Sequence, residues 1–116
     1  QERIPAFNEL RSDLVRFGPQ GDNAAAWQPW DLFTFNDLDG NLLSAWSTFY
    51  VAINNANALI ANVPSAAGAS DLIKNRTLAE ARFLRAFTYF NLVRLWGPVP
   101  LILTPTAGLN NIQPPK

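Results

Sequence analysis

The sequence predicts an all-α chain built on a tetratricopeptide-like helical hairpin with long irregular loops. Two stretches keep apolar residues at i, i+3, i+4 spacing for several turns, and clusters of turn-forming residues separate them. With 116 residues, 48% hydrophobic and 12% aromatic, the chain has enough apolar material for a real core.

In chain order, Ile4, Phe7, Leu10, Leu14 and Phe17 recur at spacings that predict a short amphipathic helix over about 5–17, with Pro5 in the tolerant first turn. Phe17-Gly18-Pro19-Gln20-Gly21-Asp22-Asn23 ends it and opens a long irregular segment holding Trp27, Pro29 and Trp30. Leu32-Phe33-Thr34-Phe35 reads as extended, and Asn36-Asp37-Leu38-Asp39-Gly40-Asn41 as a turn. From Leu42 the helical pattern is strong: Trp46, Phe49, Tyr50, Ile53, Ala56, Asn57 and Ile60 share a face, and Pro64 closes a helix over about 42–63. Asn54, Asn55 and Asn57 are poor helix formers, so their side chains are expected to bind backbone groups of neighbouring segments. Ser70 is the expected N-cap of a second long helix over about 71–95, and Gly97 with Pro98 ends it. Helical spacing alone assigns Phe83, Phe87 and Phe90 to core packing, with Trp46 and Trp96 as buried anchors. The region 1–101 is thus one helical unit, followed by a Pro-rich tail or linker over 102–116.

Composition narrows the chemistry. The chain has no His, Cys or Met, so the usual general base, the commonest metal ligand and every disulfide are missing from it. No catalytic residue, metal site or cofactor is expected. Asp37 and Asp39 lack the cleft of a glycosidase and the distal bidentate Glu of a calcium loop, and turn and N-cap chemistry explains them. The absent Met and the first residue Gln1 lead us to expect a part of a longer protein. No run approaches the ~18 apolar residues of a membrane span, and neither an export signal nor a lipidation Cys is present, so any such address would lie upstream of Gln1.

Zero net charge conceals two ends. Residues 1–71 hold three Arg against eight acids, a net −5, and residues 72–116 hold six bases against Glu80 alone, a net +5. Because the basic half sits largely on one apolar helix, pairing between the halves is a better reading than nucleic-acid binding. Arg82, Arg85 and Arg94 are expected to pair internally, and Arg76 with Glu80 to form an i, i+4 surface pair.

Tested as a repeat, Ala79, Phe83 and Ala86 match the second-helix tetratricopeptide positions, whereas Tyr50 and Ile53 depart from the first-helix pattern and the connection is long. A degenerate, repeat-like hairpin follows, not a regular solenoid.

The run from Ala79 to Leu101, AEARFLRAFTYFNLVRLWGPVPL, closely resembles the SusD/RagB family. Trp46-x-x-Phe49-Tyr50-x-x-Ile53-x-x-Ala56-Asn57-x-Leu59-Ile60 resembles the family's preceding helix, Phe33-Thr34-Phe35 its lead-in, and Glu9-Leu10-Arg11-Ser12-Asp13 an earlier motif. The resemblance implies a fragment of a larger SusD-like α-helical fold: an outer-membrane lipoprotein on the cell-surface side. Such a protein captures starch or other oligosaccharides without catalysis, beside a SusC-like TonB-dependent transporter. The alternative is a tetratricopeptide-like interaction module that docks the transporter without a glycan site of its own.

Glycan chemistry points to Trp27 and Trp30, whose indoles could stack on the C–H faces of sugar rings, with Arg11, Asp22, Asn23 and Asp31 near them in sequence to bind hydroxyls. The plain alternative, that both indoles tuck beneath the loop, stays open. The candidates are therefore Trp27, Trp30, Arg11 and Asp31.

Overall fold

A computed structural model describes residues 12, 24–34, 36 and 39–106. Apart from Ser12, the expected helix over 5–17 lies outside the described residues, as does the tail beyond Thr106. Among those described there is no strand, and three α-helices follow in order: α1 (Ala24–Asp31), α2 (Gly40–Asn62) and α3 (Asp71–Trp96), with a short 3₁₀ turn at Val63–Ser65. The chain divides into two compact units, 1–45 and 46–116.

In the first unit the segment expected to be irregular forms α1. Ala24, Ala25 and Ala26 supply high helix propensity, and Pro29 sits in so short a helix that it removes few ladder bonds. The extended reading of Leu32–Thr34 is likewise replaced by a helix end. Thr34 N–H donates to the Pro29 carbonyl at 2.8 Å and Phe33 N–H to the Trp30 carbonyl at 3.4 Å, the two bonds of a Schellman motif. Phe33 holds the left-handed position at φ 54°, a place usually given to Gly and costly for a bulky residue by about 1–2 kcal/mol. Local propensity for extension loses here to satisfaction of the last helical carbonyls. Asp39 then caps α2: its Oδ1 accepts from the N–H groups of Asn41 at 2.8 Å and Leu42 at 3.2 Å.

The second unit is the hairpin of α2 and α3. Asn62 returns its side-chain amide to the Ala58 carbonyl at 2.8 Å, and the Ala66 N–H closes the 3₁₀ turn onto Val63. Gly68, at φ 80°, makes the bend. Ser70 accepts from Ile73 N–H at 3.4 Å as the N-cap of α3, and Asp71 and Arg94 lie at the ends where the helix dipole favours their charges. Gly97 adopts φ 73°, ψ −138°, a conformation open to Gly almost alone, and its N–H meets the Val93 carbonyl at 2.9 Å.

Phe49, Ile53 and Leu92 form the buried centre of this hairpin, with Trp46, Tyr50, Tyr89 and Trp96 packed around them. Trp96 stands edge-on to Trp46 at 5.3 Å and to Phe49 at 5.8 Å between ring centroids, the geometry the ring quadrupoles favour. Both Trp anchors pack on this core, half-buried where full burial was expected.

The phenylalanine stripe does not. Phe83, Phe87 and Phe90 are 68%, 55% and 57% exposed. The core-facing side of α3 is instead Ala81, Tyr89, Leu92 and Trp96. Helical spacing establishes that the three Phe share a face, but α3 has a second apolar face, and that one meets α2.

Pairing between the acidic and basic halves is not seen among the described residues, where the ion pair is Arg76 to Glu80 at 2.8 Å. Five of the acids, Glu2, Glu9, Asp13, Asp22 and Asp37, lie outside them.

Candidate functional site

Of the sugar-binding candidates, Arg11 lies outside the described residues, and Trp27, Trp30 and Asp31 are carried on α1. Trp27 and Asp31 are one turn apart at i and i+4. Trp30 is only 2% exposed, and its indole N–H points to the Asp39 Oδ2 at 3.3 Å. One carboxylate therefore caps α2 with one oxygen and meets Trp30 with the other. A ring so enclosed presents no open face for a sugar. Trp30 fixes α1 to the start of α2, and the sequence could not separate it from Trp27 because both stood in a segment read as irregular.

A second constellation lies in the hairpin, where side chains of both helices hold the segment that follows α3. Val99 to Thr106 contains Pro100 and Pro105 and forms no ladder, so its backbone groups need other partners. Tyr50 donates its hydroxyl to the Pro100 carbonyl at 2.9 Å. The Tyr89 hydroxyl donates to the Ile102 carbonyl at 3.0 Å and accepts from the Ile102 N–H at 2.7 Å. These are the only two Tyr of the chain. Asn57, 1% exposed, donates to the carbonyls of Ile102 at 3.1 Å and Thr104 at 3.2 Å, and accepts from Arg85 Nη1 at 2.8 Å. Arg85 also donates to the Leu103 carbonyl at 3.3 Å. Asn54 Oδ1 accepts from both the N–H and the hydroxyl of Thr106, at 2.9 and 3.0 Å.

The arrangement is a clamp. It lays residues 100–106 along the hairpin, and residue 101 marks no break in its contacts. Burial, with a smaller contribution from the neighbouring Tyr89, raises the Tyr50 phenol above its ordinary 10.0 and keeps it a donor. The expectation for the helix asparagines holds for Asn54 and Asn57. Arg85 was expected to pair with acids and instead serves backbone and amide oxygens, because a half-buried guanidinium can satisfy several acceptors at once. Sequence reasoning missed the two tyrosines; their shared apolar spacing with core residues hid the polar tips. Arg94 lies 5.3 Å from the Phe90 ring centre, a cation–π contact.

Among the described residues no group of three or more His, Cys, Asp or Glu could hold a metal, and no helix is long and apolar enough to cross a membrane.

The fold is thus that of a helical-hairpin scaffold whose polar groups fasten a following segment. Comparison with known proteins gives the family. Residues 9–113 match a SusD-like family described as starch-binding and associating with the outer membrane, and the chain belongs to that family. It is 40% identical over 100 residues to a SusD-like protein of Bacteroides ovatus, covering 83% of this chain and 18% of the relative. It is 37% identical over 93 residues to SusD-like protein P2 of Formosa agariphila, covering 80% of this chain and again 18% of the relative. The match thus spans less than a fifth of either relative's length. No solved structure matches the chain.

Proposed function

We propose that the chain forms the scaffold portion of a non-catalytic glycan-binding protein that serves uptake through a TonB-dependent transporter at the cell-surface side of the outer membrane. A lipid anchor upstream of these residues would hold it there. The observation that carries this reading is the family match over residues 9–113, whose description names starch binding and the outer membrane.

Within the chain, the sugar contacts are assigned to Trp27 with Asp31 and Arg11. An indole offers an apolar face to the C–H groups of a pyranose, and a carboxylate or guanidinium takes the hydroxyls at its edge. Trp30 serves them indirectly: bonded to Asp39, it fixes the helix that carries Trp27 and Asp31. The clamp over residues 100–106 positions the chain as it leaves the hairpin.

Affinity electrophoresis through gels containing soluble starch, amylopectin or other polysaccharides tests the reading. Retardation in at least one glycan, weakened by Trp27→Ala, is expected. Unchanged mobility in every glycan, together with copurification of a transporter, would replace the reading with that of a docking module lacking a sugar site.

A further inference from the structure

Phe33 carries a conformational cost from which the fold gains nothing. It takes the left-handed position of the Schellman motif that ends α1, at φ 54°, where Gly fits without strain and Asn fits at little cost. Among the described residues it is the one non-glycine residue at positive φ, and for a bulky side chain that is an outlier. Packing does not offset the strain, because Phe33 is 61% exposed. A single exposed Phe needs no explanation. One held in a strained conformation without burial does, and such strain collects at functional sites.

The place of the ring says what it can serve. Phe33 follows directly on α1, the helix that carries Trp27 and Asp31, and its neighbour Leu32 is also exposed. Phe33 lies six positions after Trp27, about 9 Å along a helix axis at 1.5 Å per residue. That is the scale of two sugar units, so an aromatic here meets the next unit of a chain whose first unit lies on Trp27.

Charge sets the class of sugar. Residues 23–43 hold Asp31, Asp37 and Asp39 and no Lys or Arg. A uronate or sulfate against Phe33 would face carboxylates alone, a repulsive pairing, whereas the hydroxyls of a neutral sugar can donate to them. Arg11 does not reverse this, because Asp31 cancels it within the contacts assigned to the site.

We propose that Phe33 is a second stacking platform of the α1 sugar site, and that the site takes a neutral oligosaccharide of at least two units. The proposal rests on the glycan-binding reading and extends its site.

Calorimetric titration of the protein at the relatives' length tests it, with maltoheptaose, xylohexaose and mannohexaose as neutral probes and hexagalacturonate as the anionic one. Covering one face of the ring is worth about half of burying a whole Phe, a factor of about three to ten in affinity. Phe33→Gly and Phe33→Asn should both weaken the best neutral probe by that factor, while their thermal unfolding midpoints stay level or rise as the strain is relieved. Phe33→Tyr keeps the ring and should keep affinity within about twofold. Unchanged affinity in Phe33→Gly and Phe33→Asn, with Trp27→Ala weakened, overturns the proposal and leaves the glycan-binding reading standing. Affinity and unfolding midpoint falling together in both variants overturn it as well, because the ring is then structural. Tighter binding of hexagalacturonate than of every neutral probe overturns the neutral class. If wild type binds none of the probes, the glycan-binding reading fails and the proposal fails with it.

Discussion

Asn57→Ala should be among the most damaging single substitutions in the hairpin. The side chain is buried and makes three hydrogen bonds, to Ile102, Thr104 and Arg85, at 3.1, 3.2 and 2.8 Å. Two neutral bonds at about 1 kcal/mol each and one to a charged donor at about 1.5–3 give a loss of roughly 3.5–5 kcal/mol. Arg85 is only half-buried, so water takes back part of its share, leaving about 3 kcal/mol. Against a typical total of about 5–15 kcal/mol this is a large fraction. Urea unfolding followed by Trp fluorescence reads it directly, because Trp46 and Trp96 both pack on the core. Tyr89→Phe is the companion variant: its hydroxyl also binds Ile102, so the double variant should lose less than the sum of the singles. If Asn57→Ala unfolds within about 0.5 kcal/mol of wild type, the level of an ordinary surface change, the clamp does not hold the segment.

Three further outcomes are expected. Asp39→Ala should cost about 1–2 kcal/mol in thermal unfolding by circular dichroism, since it removes the cap of α2 as well as the oxygen that meets Trp30, and Asp39→Ser should recover part of it. Leu92→Ala should cost about 2–5 kcal/mol, whereas Phe87→Ala in the 116-residue chain should stay within about 0.5 kcal/mol; equal losses would mean the wrong face of α3 is buried. Tyr50 has a pKa raised above its ordinary value, so the folded state keeps this proton longer than the unfolded one. Its stabilisation is complete below the unfolded value and fades as pH rises through the folded value, so unfolding midpoints taken from about pH 8 to 11.5 should fall more for wild type than for Tyr50→Phe.

Much of the hairpin was legible. The expected helices over 42–63 and 71–95 appear as Gly40–Asn62 and Asp71–Trp96, because their apolar spacing is long and their ends carry strong signals at Ser70, Pro64 and Gly97. Helix α1 was not legible: eight residues give too little periodicity to outweigh Pro29 and the surrounding turn formers. The stripe of α3 failed for a different reason. Periodicity tells which residues share a face, and when a helix has two apolar faces it cannot tell which one a given neighbour takes. In the candidate site, Asn57 announced itself by its poor helix propensity, while Tyr50 and Tyr89 look like core aromatics until their hydroxyl partners are seen. Trp27 and Trp30 are three residues apart and alike in type. The enclosure of Trp30 against Asp39 is visible only in the structure.

Calorimetric titration of starch-type oligosaccharides into the protein, with and without Trp27→Ala, tests the central claim most directly. Saturable binding is expected, weakened about tenfold or more by Trp27→Ala, a loss of roughly 1.4 kcal/mol, with the unfolding midpoint unchanged. No saturable heat with any glycan at the relatives' length would contradict the glycan-binding reading, and undiminished binding by Trp27→Ala would remove the site from α1.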